Sequence, residues 1–271
     1  MGIIRIDEKL LAASGGKLAL GVVIARGVRV TPINEALWAT LQGQGDKLAQ
    51  SALETIDMTP IDALNVTYKN LGLKLADYKG SNEAFFKRIM SGKGVYQISN
   101  IVDANNLVSV ASLRSVGSYD LSKVAGDIVF RPGLKDEVYP ATKKRPLKLQ
   151  NLPVLCDDAG PFGSPTSDSE RALIIETTTD LMTVIFSFDG LKGLEEQMEM
   201  MAQLLIEHAS ANPEQIKHLV VRDKPIQLSG TIAKGASTAA SASVVDLSHF
   251  KPAVSNPDKF VASQHDVHLP L

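Results

Sequence analysis

Residues Gly160 to Arg171 read Gly-Pro-Phe-Gly-Ser-Pro-Thr-Ser-Asp-Ser-Glu-Arg, and they concentrate side chains able to do chemistry. Two glycines and two prolines restrict the backbone path, since glycine permits positive φ and proline locks φ near −65°. Four hydroxyls and three charges follow, between the apolar runs Leu152–Leu155 and Ala172–Ile175. Loops held by a rigid scaffold are where binding and catalysis concentrate. A long hairpin turn with a solvated tip accounts for the same residues equally well. All five histidines (His208, His218, His249, His265, His268) lie in the last quarter, and Cys156 is the single cysteine. Chemistry in the middle of the chain therefore falls to carboxylates, hydroxyls, amides and backbone groups rather than to a histidine triad or a Cys/His metal site.

The elements that would position this loop are readable in outline. Lys17–Val30 is β-branched and punctuated by glycine, which predicts strands. Thr31-Pro32 predicts a helix start running to about Ala49, and Thr59-Pro60 another before Ile61–Leu71. Ser81 to Met90 reads as a third helix, closed by Gly92 and Gly94. Tyr96–Ile98 is expected as a short strand, Asn106–Leu113 as a helix and Asp127–Arg131 as a half-buried strand. Val138–Tyr139, Lys148–Leu149 and Val154–Cys156 add short strands before the loop. Ala172–Thr177 and Leu181–Phe188 add two after it, the second apolar enough to be central. Leu191–Ser210 is an amphipathic helix with Leu194, Met198, Met201, Leu204 and Leu205 on its stripe, and His218–Arg222 a last strand. Two regions are expected: residues 1–229 as the functional domain, and 230–271 as an Ala/Ser-rich linker and tail. In the tail, His265-Asp266-Val267-His268 has the spacing of a weak metal site or of solvated polar residues.

Composition narrows the class. With 271 residues, 44% hydrophobic and 21% charged, the chain has enough sequence for a sizeable core. A formal net charge of −2 gives no global attraction to nucleic acid, so an RNA contact needs a local patch, and DNA is not expected as a partner. The acidic start Met1–Glu8 is unlike a signal peptide, and no run reaches the roughly 18–20 apolar residues of a membrane span. A cytoplasmic protein without a membrane partner is expected.

Several stretches in order then resemble one family: Thr59-Pro60, Ser91-Gly92-Lys93-Gly94-Val95-Tyr96, Asn100 to Ser109, Ser118-Tyr119-Asp120, Asp127-Ile128 and the Gly160–Arg171 loop. Over about residues 15–225 the chain resembles the B3/4 domain of the phenylalanyl-tRNA synthetase beta chain, in its free-standing form. The resemblance implies an α+β fold, with a β-barrel-like core and an inserted mixed sheet flanked by helices. It also implies metal-independent and cofactor-free hydrolysis, in trans, of the ester of a mischarged tRNA. Where the synthetase domain carries Asp-x-Thr-Asn, this chain has Asp103-Ala104-Asn105-Asn106. Asn106 keeps the amide, and Asn105 stands at the threonine. An editing histidine falls on Gly117, and the acid after the glycine-rich loop falls on Pro165. Both losses leave the side-chain specificity open.

On this reading the aminoacyl ester lies between Asp103–Asn106 and the loop. Asn106, Ser164, Thr166 and Asp168 form the catalytic set, and Asp103, Asn105, Gly117, Gly160, Phe162, Gly163, Ser167 and Glu170 bind substrate. Backbone N–H groups near Gly163 and Ser164 would face the oxyanion, each such donor worth about 10²–10³ in rate. Asp103 and Asp120 equally suit caps or turn acceptors, Ser167 and Asp168 a turn cap, and Glu170–Arg171 a surface pair. The acids Asp157, Asp158, Asp168 and Glu170 would favour a cationic side chain if two or more face the pocket, and are otherwise solvated. Lys143-Lys144-Arg145 with Lys148 is the best tRNA patch, joined by Lys87, Arg88 and Lys93. Such a patch predicts weak, salt-sensitive binding. A non-catalytic module that binds tRNA or an amino acid is the alternative, and a small-molecule ester or amide hydrolase a third reading.

Overall fold

Two β-sheets face each other across one apolar core, and helices cover the far side of one of them. The computed structural model describes residues 2–141 and 146–228. The expected linker and tail, and the His265–His268 pair, lie outside the described residues.

The central sheet is antiparallel and four-stranded. Strand β2 (Ala19–Arg26) lies between β10 (Lys217–Val221) and β9 (Asp180–Ser187), and β3 (Ser115–Asp120) forms the far edge. Alternation along these strands divides the side chains between two faces. Leu20, Val22, Ile24, Met182, Val184, Phe186 and Tyr119 enter the core between the sheets. Val23, Ala25, Leu181 and Ile185 pack on the opposite face against α2 (Glu35–Gln50), α5 (Asn100–Ser112) and α6 (Leu194–Ala209). The second sheet runs β11 (Ile226–Gln227), β1 (Ile3–Ile6), β4 (Ile128–Pro132), β7 (Pro153–Asp157), β8 (Gly160–Gly163), with β1 and β4 parallel. It contributes Ile4, Ile6, Phe130, Val154 and Phe162 to the shared core. A two-stranded ribbon, β5 (Val138–Tyr139) with β6 (Leu147–Lys148), completes an α+β architecture with a mixed sheet.

Several expected boundaries move, each for a local reason. Helix α2 begins after Asn34, whose side chain accepts the Leu37 N–H, and not at Thr31-Pro32. Thr31 instead exchanges bonds with Asn100. Tyr96–Ile98 is not a strand; the Ile98 N–H is taken by the Asp103 carboxylate. Helix α5 starts at Asn100, capped by Ser99, six residues earlier than the periodicity suggests. Asp103, Asn105 and Asn106 are therefore helical. The helix α4 (Ser81–Arg88) passes into a π-turn over Ile89–Lys93 that Gly92 closes with φ 75°. Ala172–Thr177 is not a strand, because Ser169 caps a 3₁₀ turn at Glu170–Ala172 and Thr178 takes the Ile175 N–H. Helix α3 (Thr59–Asn70) keeps its predicted proline start, and β9 is central as expected. Strand β1 and helix α1 (Glu8–Ala13), capped by Asp7, precede the first element that the spacing predicts.

Asn100 joins three layers. Its Oδ1 accepts the Thr31 N–H at 2.9 Å, and its Nδ2 donates to the carbonyls of Arg29 and His208, both at 2.8 Å. Asn100→Ala strands these backbone groups away from water. It is expected to cost about 2–4 kcal/mol, read as a lower urea midpoint at unchanged slope.

Candidate active site

After β8 the chain turns through Ser164–Asp168, and three buried tyrosines from separate elements aim their hydroxyls into that turn. Tyr68 of α3 meets Thr166 Oγ1 at 2.8 Å, and Tyr119 of β3 donates to Asp168 Oδ1 at 2.8 Å. Tyr139 of β5 lies within hydrogen-bond reach of Ser164 Oγ, at 3.1 Å, and of the Ser167 carbonyl. The Pro165 carbonyl accepts from the Ser81 N–H at 2.7 Å and from Ser115 Oγ at 3.0 Å. A segment rich in proline and serine is thus held in a single path by the walls of the core.

Asp168 is the ionisable centre of this turn. Its Oδ1 also accepts the Ser164 N–H at 3.2 Å. A Cβ built on Gly117 would lie 3.2 Å from Oδ2, so this oxygen is directed at the glycine on β3. Burial pushes the carboxyl up to about 6, against the bonds from Tyr119 and the Ser164 N–H, which favour the charged form. Burial likewise raises Tyr68, Tyr119 and Tyr139, and takes the Cys156 thiol to about 12. Of these five groups, Asp168 alone changes charge between pH 4 and 8. A carboxyl poised near neutrality can hold and deprotonate a water.

The expected site residues divide between two sides of β3. Gly117, Gly163, Ser164, Thr166, Ser167 and Asp168 are together. Asn105 is on the helix-covered side, where its Oδ1 accepts from Ser118 Oγ at 2.8 Å and Ser118 in turn meets Thr183. Asp103 and Asn106 are carried by the same helix, α5. Asp103 Oδ2 and Asn106 Nδ2 are buried without a hydrogen-bond partner, as are Gln97 Nε2 and Arg88 Nε nearby in sequence. Burial raises the Asp103 carboxyl.

Other assignments change character. Ser164, 4% exposed, donates to the Ser167 carbonyl and accepts the N–H groups of Thr166 and Ser167. It stitches the turn together, and the N–H groups expected to face an oxyanion are engaged within the turn. Phe162 is fully buried, edge-on to Tyr119 at 5.1 Å, and belongs to the core. Gly160 closes the β7–β8 turn with φ 112°, and its carbonyl accepts from Arg171. Arg171 also forks onto Asp157 at 2.8 and 3.1 Å, and Asp158 and Glu170 are exposed. The four loop acids therefore do not line one pocket.

Of the basic patch, Lys143, Lys144 and Arg145 lie outside the described residues, while Lys148 on β6 is exposed. Lys87 pairs with Glu83, Arg88 lies 5.2 Å over the Tyr96 ring, and Lys93 is exposed. Among the described residues no group of three or more His, Cys, Asp or Glu side chains forms a metal set, and no helix is long and apolar enough to cross a membrane. The tyrosines were missed as site residues. Tyr119 was visible in Ser118-Tyr119-Asp120, but nothing in spacing joins Tyr68, Tyr119 and Tyr139.

The sequence model of the B3/4 domain family matches residues 65–210. No curated protein matches the chain. Among solved structures it is similar to an N-terminal fragment of the phenylalanyl-tRNA synthetase beta-subunit from Pyrococcus horikoshii, with a TM-score of 0.42 and 14% identity. The alignment covers 81% of this chain and 54% of that one, so the chain spans about half the length of this relative.

Proposed function

The chain belongs to the B3/4 domain family, and from that premise we propose that it is a trans-acting deacylase that hydrolyses the ester of a mischarged tRNA. The observation that carries this reading is the Asp168 carboxyl, raised to about 6 and directed at Gly117 inside a rigid turn. As carboxylate it takes a proton from a water held beside Thr166 and Ser167, and the water oxygen bonds to the ester carbonyl carbon. The carbon–oxygen bond to the terminal ribose then breaks and the proton passes to the ribose oxygen, giving a free amino acid and an uncharged tRNA. No metal or cofactor enters this scheme, and the cytoplasm, where translation occurs, is its setting.

A panel of mischarged tRNAs, incubated with the protein with and without chelator, tests the reading. Chelator-insensitive release of one class of amino acid supports it, and no release from any member sinks it. One observation favours a binding module instead: the N–H groups of Ser164, Thr166 and Ser167 are spent inside the turn rather than offered to an oxyanion. That module would bind the charged tRNA and leave the ester intact.

Contact with tRNA would run through Lys148 and the adjoining Lys143-Lys144-Arg145, which hold phosphates without reading sequence. Four such contacts predict a loss of roughly 50–150-fold in affinity between 50 and 200 mM salt. Filter binding across that range checks it, and a flat salt response removes the basic patch from the interface.

A further inference from the structure

We infer that Tyr119 is a positioning residue: its hydroxyl holds Asp168 by Oδ1 and so turns Oδ2 toward Gly117. This rests on Asp168 being the reactive group of the proposed site, and it assigns a role to a side chain that the hydrolytic scheme leaves unused.

The geometry is unusual in how much of it serves one phenol. A Cβ at Gly117 would stand 2.5 Å from the Tyr119 hydroxyl oxygen and 3.0 Å from Cζ, and a Cβ at Gly163 would collide with the same ring. Glycine at both positions therefore makes the slot that the phenol fills. Phe162 closes the slot edge-on at 5.1 Å. Tyr119 is 1% exposed, and its hydroxyl donates to Asp168 Oδ1 at 2.8 Å. The Ser164 N–H reaches the same oxygen, so two donors from different elements converge on Oδ1. Burial is the larger effect on Asp168 and raises its carboxyl, and the Tyr119 hydroxyl opposes it by stabilising the carboxylate. Among the described residues, Tyr68 from α3, Tyr139 from β5 and Cys156 from β7 also flank the turn, and burial keeps all three neutral through this range.

Tyr119→Phe removes the hydroxyl and keeps the ring in its slot. Carbon-13 NMR of labelled aspartate follows the Asp168 carboxyl directly, assigned by its absence in Asp168→Asn. The midpoint is expected to rise by about one pH unit in Tyr119→Phe, tenfold in proton affinity, and to stay in place in Tyr139→Phe. The acid limb of deacylation should move with it. An unmoved midpoint in Tyr119→Phe, or an equal shift in Tyr139→Phe, overturns the inference. If the NMR shift appears while no tRNA is deacylated by the native protein, the positioning role stands and the hydrolytic reading fails separately.

Discussion

Asp168→Asn is expected to reduce deacylation at pH 7.5 by at least about 100-fold, the worth of a positioned general base, while making the protein more stable at that pH. The two effects share one cause. Native Asp168 titrates at about 6 against 3.8 in the unfolded chain, so the folded state binds the proton more tightly. Its contribution to stability is fully present below 3.8 and is lost as pH rises through about 6, because the carboxylate then bears the cost of burial. The shift is worth at most about 3 kcal/mol. Asparagine keeps an oxygen for the Tyr119 hydroxyl and the Ser164 N–H and carries no charge at any pH. The stability gain over the native protein should therefore be near zero at pH 3.5 and largest at pH 8. Urea unfolding at the two pH values measures it. A gain independent of pH would show that the Asp168 carboxylate does not bear that desolvation cost. Undiminished deacylation would show that it is not the base.

The largest loss of stability is expected far from the turn, at Asp189. Arg114, 2% exposed at the start of β3, forks onto the Asp189 carboxylate at 2.9 and 2.7 Å. It also donates to Gln197 Oε1 at 2.7 Å and to the Lys192 carbonyl at 2.9 Å, tying the edge strand to the start of α6. Asp189→Ala leaves a buried guanidinium without its counter-charge, which costs about 3–5 kcal/mol. For a domain of this size that is roughly 6–20 °C in Tm. The double variant Arg114→Met/Asp189→Leu removes both charges and should recover most of the loss. Calorimetry on the three proteins separates the pair from its surroundings, and a double variant as weak as Asp189→Ala would rule out the unpaired charge as the cause. Because β3 carries Gly117 and Tyr119, the single variant should also slow deacylation.

Elements with strong periodicity were legible in the sequence. Helices α3 and α6 and the strand β9 follow directly from their apolar spacing and start signals. What was not legible depends on partners distant in sequence. Asn100, the first residue of α5, is fixed by Thr31, Arg29 and His208, which are distant in sequence, so the spacing shows the helix only from Asn106 onward. The expectation that Asp103–Asn106 faces Gly160–Arg171 did not include the helix that carries these residues, which turns Asn105 toward Ser118 on the far side of β3. β3 itself, Ser-Val-Gly-Ser-Tyr-Asp, is too polar to announce a strand, yet both its faces are used. Glycine spacing marked a tight turn but not the phenol between Gly117 and Gly163. Asp168 stands out in the sequence because an acid among hydroxyls is conspicuous. Its raised pKa does not, since that comes from the surrounding core.

The pH–rate profile of the native protein on the mischarged tRNA it deacylates reads the proposed role of the Asp168 carboxylate as base. After subtraction of spontaneous ester loss, the rate is expected to climb tenfold per pH unit below about 6 and to level off above it, as Asp168 becomes charged. A profile flat from pH 4.5 to 8, or one that falls as pH rises, contradicts it.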